Sequence, residues 1–222
     1  MHRLRNVWML DIMKSVALLA RKGGVGKTTC AIHMGVLAQA AGSKVAFIDL
    51  DPQRSLTAWW RSRAADTPIL IESDARRLGE VLKVAAAEGY DLAVIDTPPA
   101  VTFDTAQVAT FSDLVLIPLR PSILDIYAVE STAAVVKAAK ASAMLVLNAC
   151  YPPQGIGEAP TTIEARKAME GMSLPVAKAS LSQRMDFTRA LNDGEAVNEF
   201  APGSKAALET ERLWQEVQRS LA

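Results

Sequence analysis

Val16-Ala17-Leu18-Leu19-Ala20-Arg21-Lys22-Gly23-Gly24-Val25-Gly26-Lys27-Thr28-Thr29 sets the class of fold. An apolar run of strand length leads into glycines and then into a segment able to form a helix. Glycines let the backbone curl around an anion with its N–H groups turned inward. A helix beginning near Thr28 adds the positive end of its dipole. At this spacing Lys27 reaches the β- and γ-phosphates of a nucleotide, and Thr28 offers its hydroxyl to Mg²⁺. Gly23, Gly24, Val25, Gly26, Lys27, Thr28 and Thr29 are therefore the candidate phosphate-binding residues. Arg21 stands where the strict phosphate-loop pattern has its first glycine, and Lys22 is an additional cation beside it.

Two acidic strand ends follow. Residues 44–49 read as a strand that runs into Asp49-Leu50-Asp51-Pro52-Gln53. Leu92-Ala93-Val94-Ile95 is another apolar strand, ending in Asp96 and continuing into Thr97-Pro98-Pro99. Phosphoryl transfer rests on positioning and charge, so acids at these ends suffice to orient Mg²⁺ and an attacking water. Asp96 is the candidate for holding the ion through water.

Further strands are expected at residues 69–71, 114–117 and 144–147, with a short one near 175–177. Helices are expected at 28–41, closed by Gly42, and at 55–63. Others are expected at 74–88 behind an Asp74 cap, and at 123–140, 161–171, 184–193 and 204–220. Alternation of this kind predicts an α/β fold, a mostly parallel sheet with helices on both faces. Ligands of such sheets bind at the carboxyl ends of the strands. The candidate motifs fall at those ends.

The 222 residues suit one α/β domain, taken as residues 13–222. Residues 1–12 read as a tail or as a misassigned start, because Met13 also looks like a natural beginning. Lys+Arg and Asp+Glu both number 24, so nucleic-acid or membrane binding requires a local patch. The two cysteines, Cys30 and Cys150, cannot build a disulfide framework or a four-thiolate site. No apolar run reaches the roughly 20 residues that span a bilayer, and no export signal is read. A reduced cytoplasm is the expected compartment.

Lys22-Gly23-Gly24-Val25-Gly26-Lys27-Thr28-Thr29 resembles the deviant Walker A loop of the ParA/MinD family of ATPases. Asp51-Pro52-Gln53-Arg54-Ser55-Leu56-Thr57 with Trp59 is similar to switch I of the small plasmid-partition members. Asp96-Thr97-Pro98-Pro99 is similar to their switch II. The likeness continues through Asp113 to Pro118, Arg120-Pro121-Ser122 and Asp125. It returns at Gln183-Arg184 and Leu191 to Gly194.

The resemblance implies a P-loop ATPase that uses ATP and Mg²⁺ and forms a homodimer in the ATP state. Lys22 would cross that dimer to the partner's nucleotide. Asp51 would position the attacking water, and Asp49 would be structural or an outer metal group. Asn148 and Pro202 are expected at the adenine, although a plain loop role fits each equally well. Such proteins sit on nucleoid DNA without sequence preference and answer to a ParB-like adaptor. Phosphate contacts dominate binding of that kind. Candidate contacts are Lys167, Lys178, Arg184, Arg189 and Lys205.

Two other readings use the same scaffold. A MinD-like membrane switch would use the C-terminal stripe Leu208, Leu213, Trp214, Val217 and Leu221. Glu209, Glu211 and Glu216 on that segment oppose anionic lipid, so packing on the sheet is expected there. A metabolic enzyme or cluster carrier would need a substrate signature or a CxxC pair, and the sequence has no CxxC.

Overall fold

The computed structural model describes residues 13–99, 103–153, 155 and 157–222. The expected tail or start at 1–12 lies outside the described residues. Six parallel strands form one sheet in the order β3-β2-β4-β1-β5-β6. They are β1 (Lys14–Leu18), β2 (Val45–Asp49), β3 (Ile69–Glu72), β4 (Leu92–Asp96), β5 (Leu114–Leu119) and β6 (Ala143–Leu147). Apart from β3 and the first residue of β1, these strands are buried throughout. Both faces are therefore covered, and the strands read as near-continuous apolar runs.

Helices occupy the crossovers. They are α1 (Lys27–Ala40), α2 (Ser55–Ser62), α3 (Leu78–Ala87), α4 (Phe103–Thr110) and α5 (Ile123–Ala138). After β6 come α6 (Pro160–Ala168), α7 (Met185–Asn192), α8 (Val197–Phe200) and α9 (Lys205–Leu221). A short 3₁₀ turn at Ala75–Arg77 precedes α3, and Asp74 caps it by accepting from the N–H groups of Arg76 and Arg77. Gly35 lets α1 lie close on the sheet, since a Cβ there would come within 2.2 Å of the Phe47 ring.

The short strand expected near 175–177 is not a regular strand. Val176 and Ser182 make single parallel bridges to Leu145 and Cys150. Between them, the N–H groups of Lys178 and Ala179 turn away to the Glu216 carboxylate of α9. The N–H of Ser182 likewise donates to Glu209. Acids of α9 thus cap the edge that β6 and this segment would otherwise leave open.

The same helix buries Leu213, Trp214 and Val217 in the core. Each such side chain contributes about 1.5–3 kcal/mol by burial. These three of the stripe's five residues pack on the sheet, while Leu208 is exposed and Leu221 half-buried. Among the described residues no helix is long and apolar enough to cross a membrane.

His33 joins α1 to the C-terminal segment. Its ring is fully buried, its Nδ1 accepts from the Val197 N–H at 3.1 Å, and it packs against Phe187. Burial pushes its pKa down to about 3, against the opposing pull of Glu199. In the unfolded chain it titrates near 6.5. The folded protein therefore gains stability from neutral His33 above that pH and loses it as pH falls from there toward 3. Between pH 7 and pH 5 the loss is roughly 2 kcal/mol. Urea unfolding of the wild type should show it, and His33→Gln, which can still accept from Val197, should show less. Equal slopes in the two proteins would contradict this assignment.

Candidate nucleotide site

Register places the site. Leu18 of β1 and Asp49 of β2 both pair with Asp96 of β4, so three carboxyl ends lie side by side. The glycine loop follows β1, the segment Leu50–Arg54 follows β2, and Thr97 follows β4. The sheet order also reverses at β1, which lies between β4 and β5. This is the place where open α/β sheets bind ligands.

Gly26 has φ +97°, a conformation glycine adopts without strain, and it starts α1. No side chain caps α1 and no acid occupies its first turn. Its leading N–H groups and dipole are thus left to an anion. The loop is held from outside. Asn148 at the end of β6 donates to the Val25 carbonyl at 2.7 Å, and Arg120 at the end of β5 donates to the Gly24 carbonyl at 2.5 Å. Lys22 pairs with Asp125 of α5 at 3.2 Å.

Buried charge concentrates beside the loop. Thr28 donates to Asp96 at 2.6 Å. Burial raises the Asp96 pKa to about 7, the Thr28 hydrogen bond and Lys27 oppose this, and Asp49 and Asp51 add to it. Lys27 is buried, and desolvation lowers its pKa against the pull of Asp96 and Asp51. Asp51 and Asp96 thus share one desolvated ammonium, while Asp49 has the Arg54 guanidinium beside it at 3.8 Å. The surplus acid suits a cation held together with phosphate oxygens.

Of the two places expected for Asp49, structural or outer metal group, its hydrogen bonds fit the first. It is fully buried, accepts from the Asp51 N–H at 3.0 Å, and accepts from both the N–H and the hydroxyl of Thr57. Its oxygens are engaged within the protein, so its role is to pin the loop after β2 to α2. Asp51 instead lines the cavity that holds Lys27, Thr28, Gln53 and Pro99, of about 630 Å³.

A second cavity of about 540 Å³ meets the first at Gly24, Gly26 and Thr29. Asn148 lines it, opposite Gln183, Arg184 and Phe187. Pro202 is exposed and lines neither cavity, which corrects its expected place as the facing wall. Arg184 is corrected too. It is paired with Glu209 at 2.6 Å and turned into this cavity, so it is not a free surface cation. Lys167, Lys178, Arg189 and Lys205 are exposed. Cys30 and Cys150 are both buried, and burial pushes the Cys30 thiol up to about 12.

Sequence reading did not assign Asp125 or Arg120 a role at the site, although both stand in the stretch that carries the family likeness. Arg120 directly follows β5, and Asp125 lies in the first turn of α5.

The family model for the CobQ/CobB/MinD/ParA nucleotide binding domain matches residues 16–197. The chain belongs to this family. It has the ParA/MinD-type P-loop ATPase fold. It is 32% identical over 213 residues to the Maintenance of carboxysome distribution protein A of Halothiobacillus neapolitanus, covering 91% of this chain and 95% of that protein. Among solved structures, it resembles an ATP complex of a Cyanothece McdA variant, with TM-score 0.73 and 20% identity, over 95% of this chain and 96% of that one. It also resembles the septum site-determining protein MinD of Pyrococcus horikoshii with Mg-ADP, with TM-score 0.75 and 18% identity, over 93% of this chain and 96% of that one.

Proposed function

We propose that this protein is an ATP-driven positioning switch that dimerises on ATP, binds DNA without sequence preference and distributes a cargo through an adaptor protein. The observation that carries the reading is Lys22. A second cation stands at the mouth of a complete phosphate loop, in a chain similar over almost its whole length to a carboxysome distribution protein. ATP phosphates take the Gly23–Thr29 loop and Lys27. The base side faces the cavity of Asn148 and Phe187, and the terminal phosphate faces Asp51.

Thr28 would offer Mg²⁺ its hydroxyl, and Asp96 would hold the ion through water. Among the described residues no cluster of three or more His, Cys, Asp or Glu could hold a metal ion. Phosphate oxygens and waters would supply the rest of its ligands. The ion supplies charge neutralisation for the terminal phosphate. Asp51 orients the attacking water. In the monomer Lys22 is tied to Asp125; in the dimer it exchanges that partner for the other subunit's nucleotide. The exposed Lys167, Lys178, Arg189 and Lys205 supply DNA contacts. The adaptor is ParB-like in role, linking hydrolysis to release.

The test is binding to DNA fragments of unrelated sequence with ATP and Mg²⁺, at two salt concentrations, with ADP and liposomes as controls. Binding is expected with ATP alone and should weaken steeply with salt. Lys22→Ala should stay monomeric with ATP in light scattering and lose the DNA complex. Binding to liposomes instead, or to neither surface, would remove the DNA reading. An ATP-dependent dimer in the variant would remove the role given to Lys22.

A further inference from the structure

The cavity between the phosphate loop and Phe187 has an unusual charge balance. Its lining carries two cations, Arg120 and Arg184, and no carboxylate. Arg184 is neutralised by Glu209 at 2.6 Å. Arg120 is exposed, and among the described residues no carboxylate pairs with it. A guanidinium carries five N–H donors. One of the Arg120 nitrogens donates to the Gly24 carbonyl, inside the loop that wraps the phosphates.

Holding the loop does not require this charge. Asn148, a neutral amide, does the same for the adjacent Val25 carbonyl. Arg120 therefore brings a full positive charge and spare donors to the cavity that meets the phosphate cavity at Gly24, Gly26 and Thr29, with no carboxylate among the described residues paired to it. Planar guanidinium groups match phosphate oxygens by paired hydrogen bonds.

We propose that Arg120 is a phosphate-contacting residue of this chain's own nucleotide site, a reading that rests on the nucleotide function given above. Its Gly24 bond aims the guanidinium, and the remaining donors take oxygens of the bound di- or triphosphate.

Three variants separate charge from clamping. Arg120→Ala removes both. Arg120→Gln keeps a shorter polar side chain without the charge, and Arg120→Lys keeps a charge. Affinities for fluorescent ATP and ADP analogues are measured by titration, with thermal melting to confirm that each variant folds. Arg120→Ala and Arg120→Gln should both bind ATP and ADP about 10- to 100-fold more weakly than the wild type. Arg120→Lys should recover much of that loss. The deficit of the first two should shrink at high salt. Wild-type affinity in Arg120→Gln would reduce Arg120 to a loop clamp and overturn the proposal. A loss confined to ATP, with ADP unaffected, would remove the contact to the phosphates that both nucleotides share and overturn it as well. If the wild type itself binds neither nucleotide, the functional reading fails before the arginine is in question.

Discussion

Lys27→Ala is expected to abolish measurable ATP binding while leaving a folded protein. The ammonium is buried beside Asp96 and Asp51, and those two acids counter the desolvation that lowers its pKa. Without it, Asp96 and Asp51 face the incoming phosphates with no fixed cation at the base of the loop. Truncating one side of a buried, hydrogen-bonded charge pair at a binding site costs about 2–5 kcal/mol of affinity. That corresponds to an affinity loss of at least about 30-fold. The fold should survive, because the strand ends remain joined by hydrogen bonds that do not use Lys27. Thr28 still bonds Asp96, and Thr97 still donates to the Leu18 carbonyl. Calorimetric titration with ATP and Mg²⁺, beside a thermal melt, measures both parts. Affinity within tenfold of the wild type would mean that the phosphates do not sit where the glycine loop implies.

The sheet and phosphate loop were legible because buried parallel strands write themselves as apolar runs ending at acids or glycines. β2 and β4 could be read in this way from residues 44–49 and 92–96, and register then brought Asp49 and Asp96 together. Less of the helical detail could be read. α4 follows directly on the segment after Pro99, where prolines and threonine hide a helix start, and α8 has only four residues. Asp49 looked like a metal group because both acids end strands. Sequence does not reveal that Thr57, one turn into α2, returns to occupy it. Arg184 and Pro202 failed for a related reason. Their roles depend on where α9 sits, and the Glu209 partner of Arg184 lies 25 residues away. The pairing of Lys22 with Asp125 likewise joins the loop after β1 to the first turn of α5, which only the β1–β5 neighbour relation brings together.

Gly26→Ala should be the most damaging single methyl in the site. The residue has φ +97°, and an added Cβ would lie 1.9 Å from Nδ2 of Asn148. That same nitrogen holds the Val25 carbonyl. The side chain of Asn148 can move aside only by releasing the loop it clamps. Backbone strain of this kind costs about 1–3 kcal/mol, and the lost hydrogen bond adds about 1 kcal/mol. For a domain of this size the melting temperature should fall by about 4–16 °C. Nucleotide affinity should fall about 100-fold or more, since the N–H groups of the nest no longer converge. Pairing the change with Asn148→Ala separates the two causes. The double variant has room for the methyl, so it should melt above Gly26→Ala alone. It keeps the unfavourable φ and lacks the clamp, so its ATP affinity should stay low. If Gly26→Ala bound ATP normally, the left-handed turn at this position would not be what shapes the phosphate site. If the double variant recovered full affinity, the clash with Asn148, and not the backbone, would be the whole of the defect.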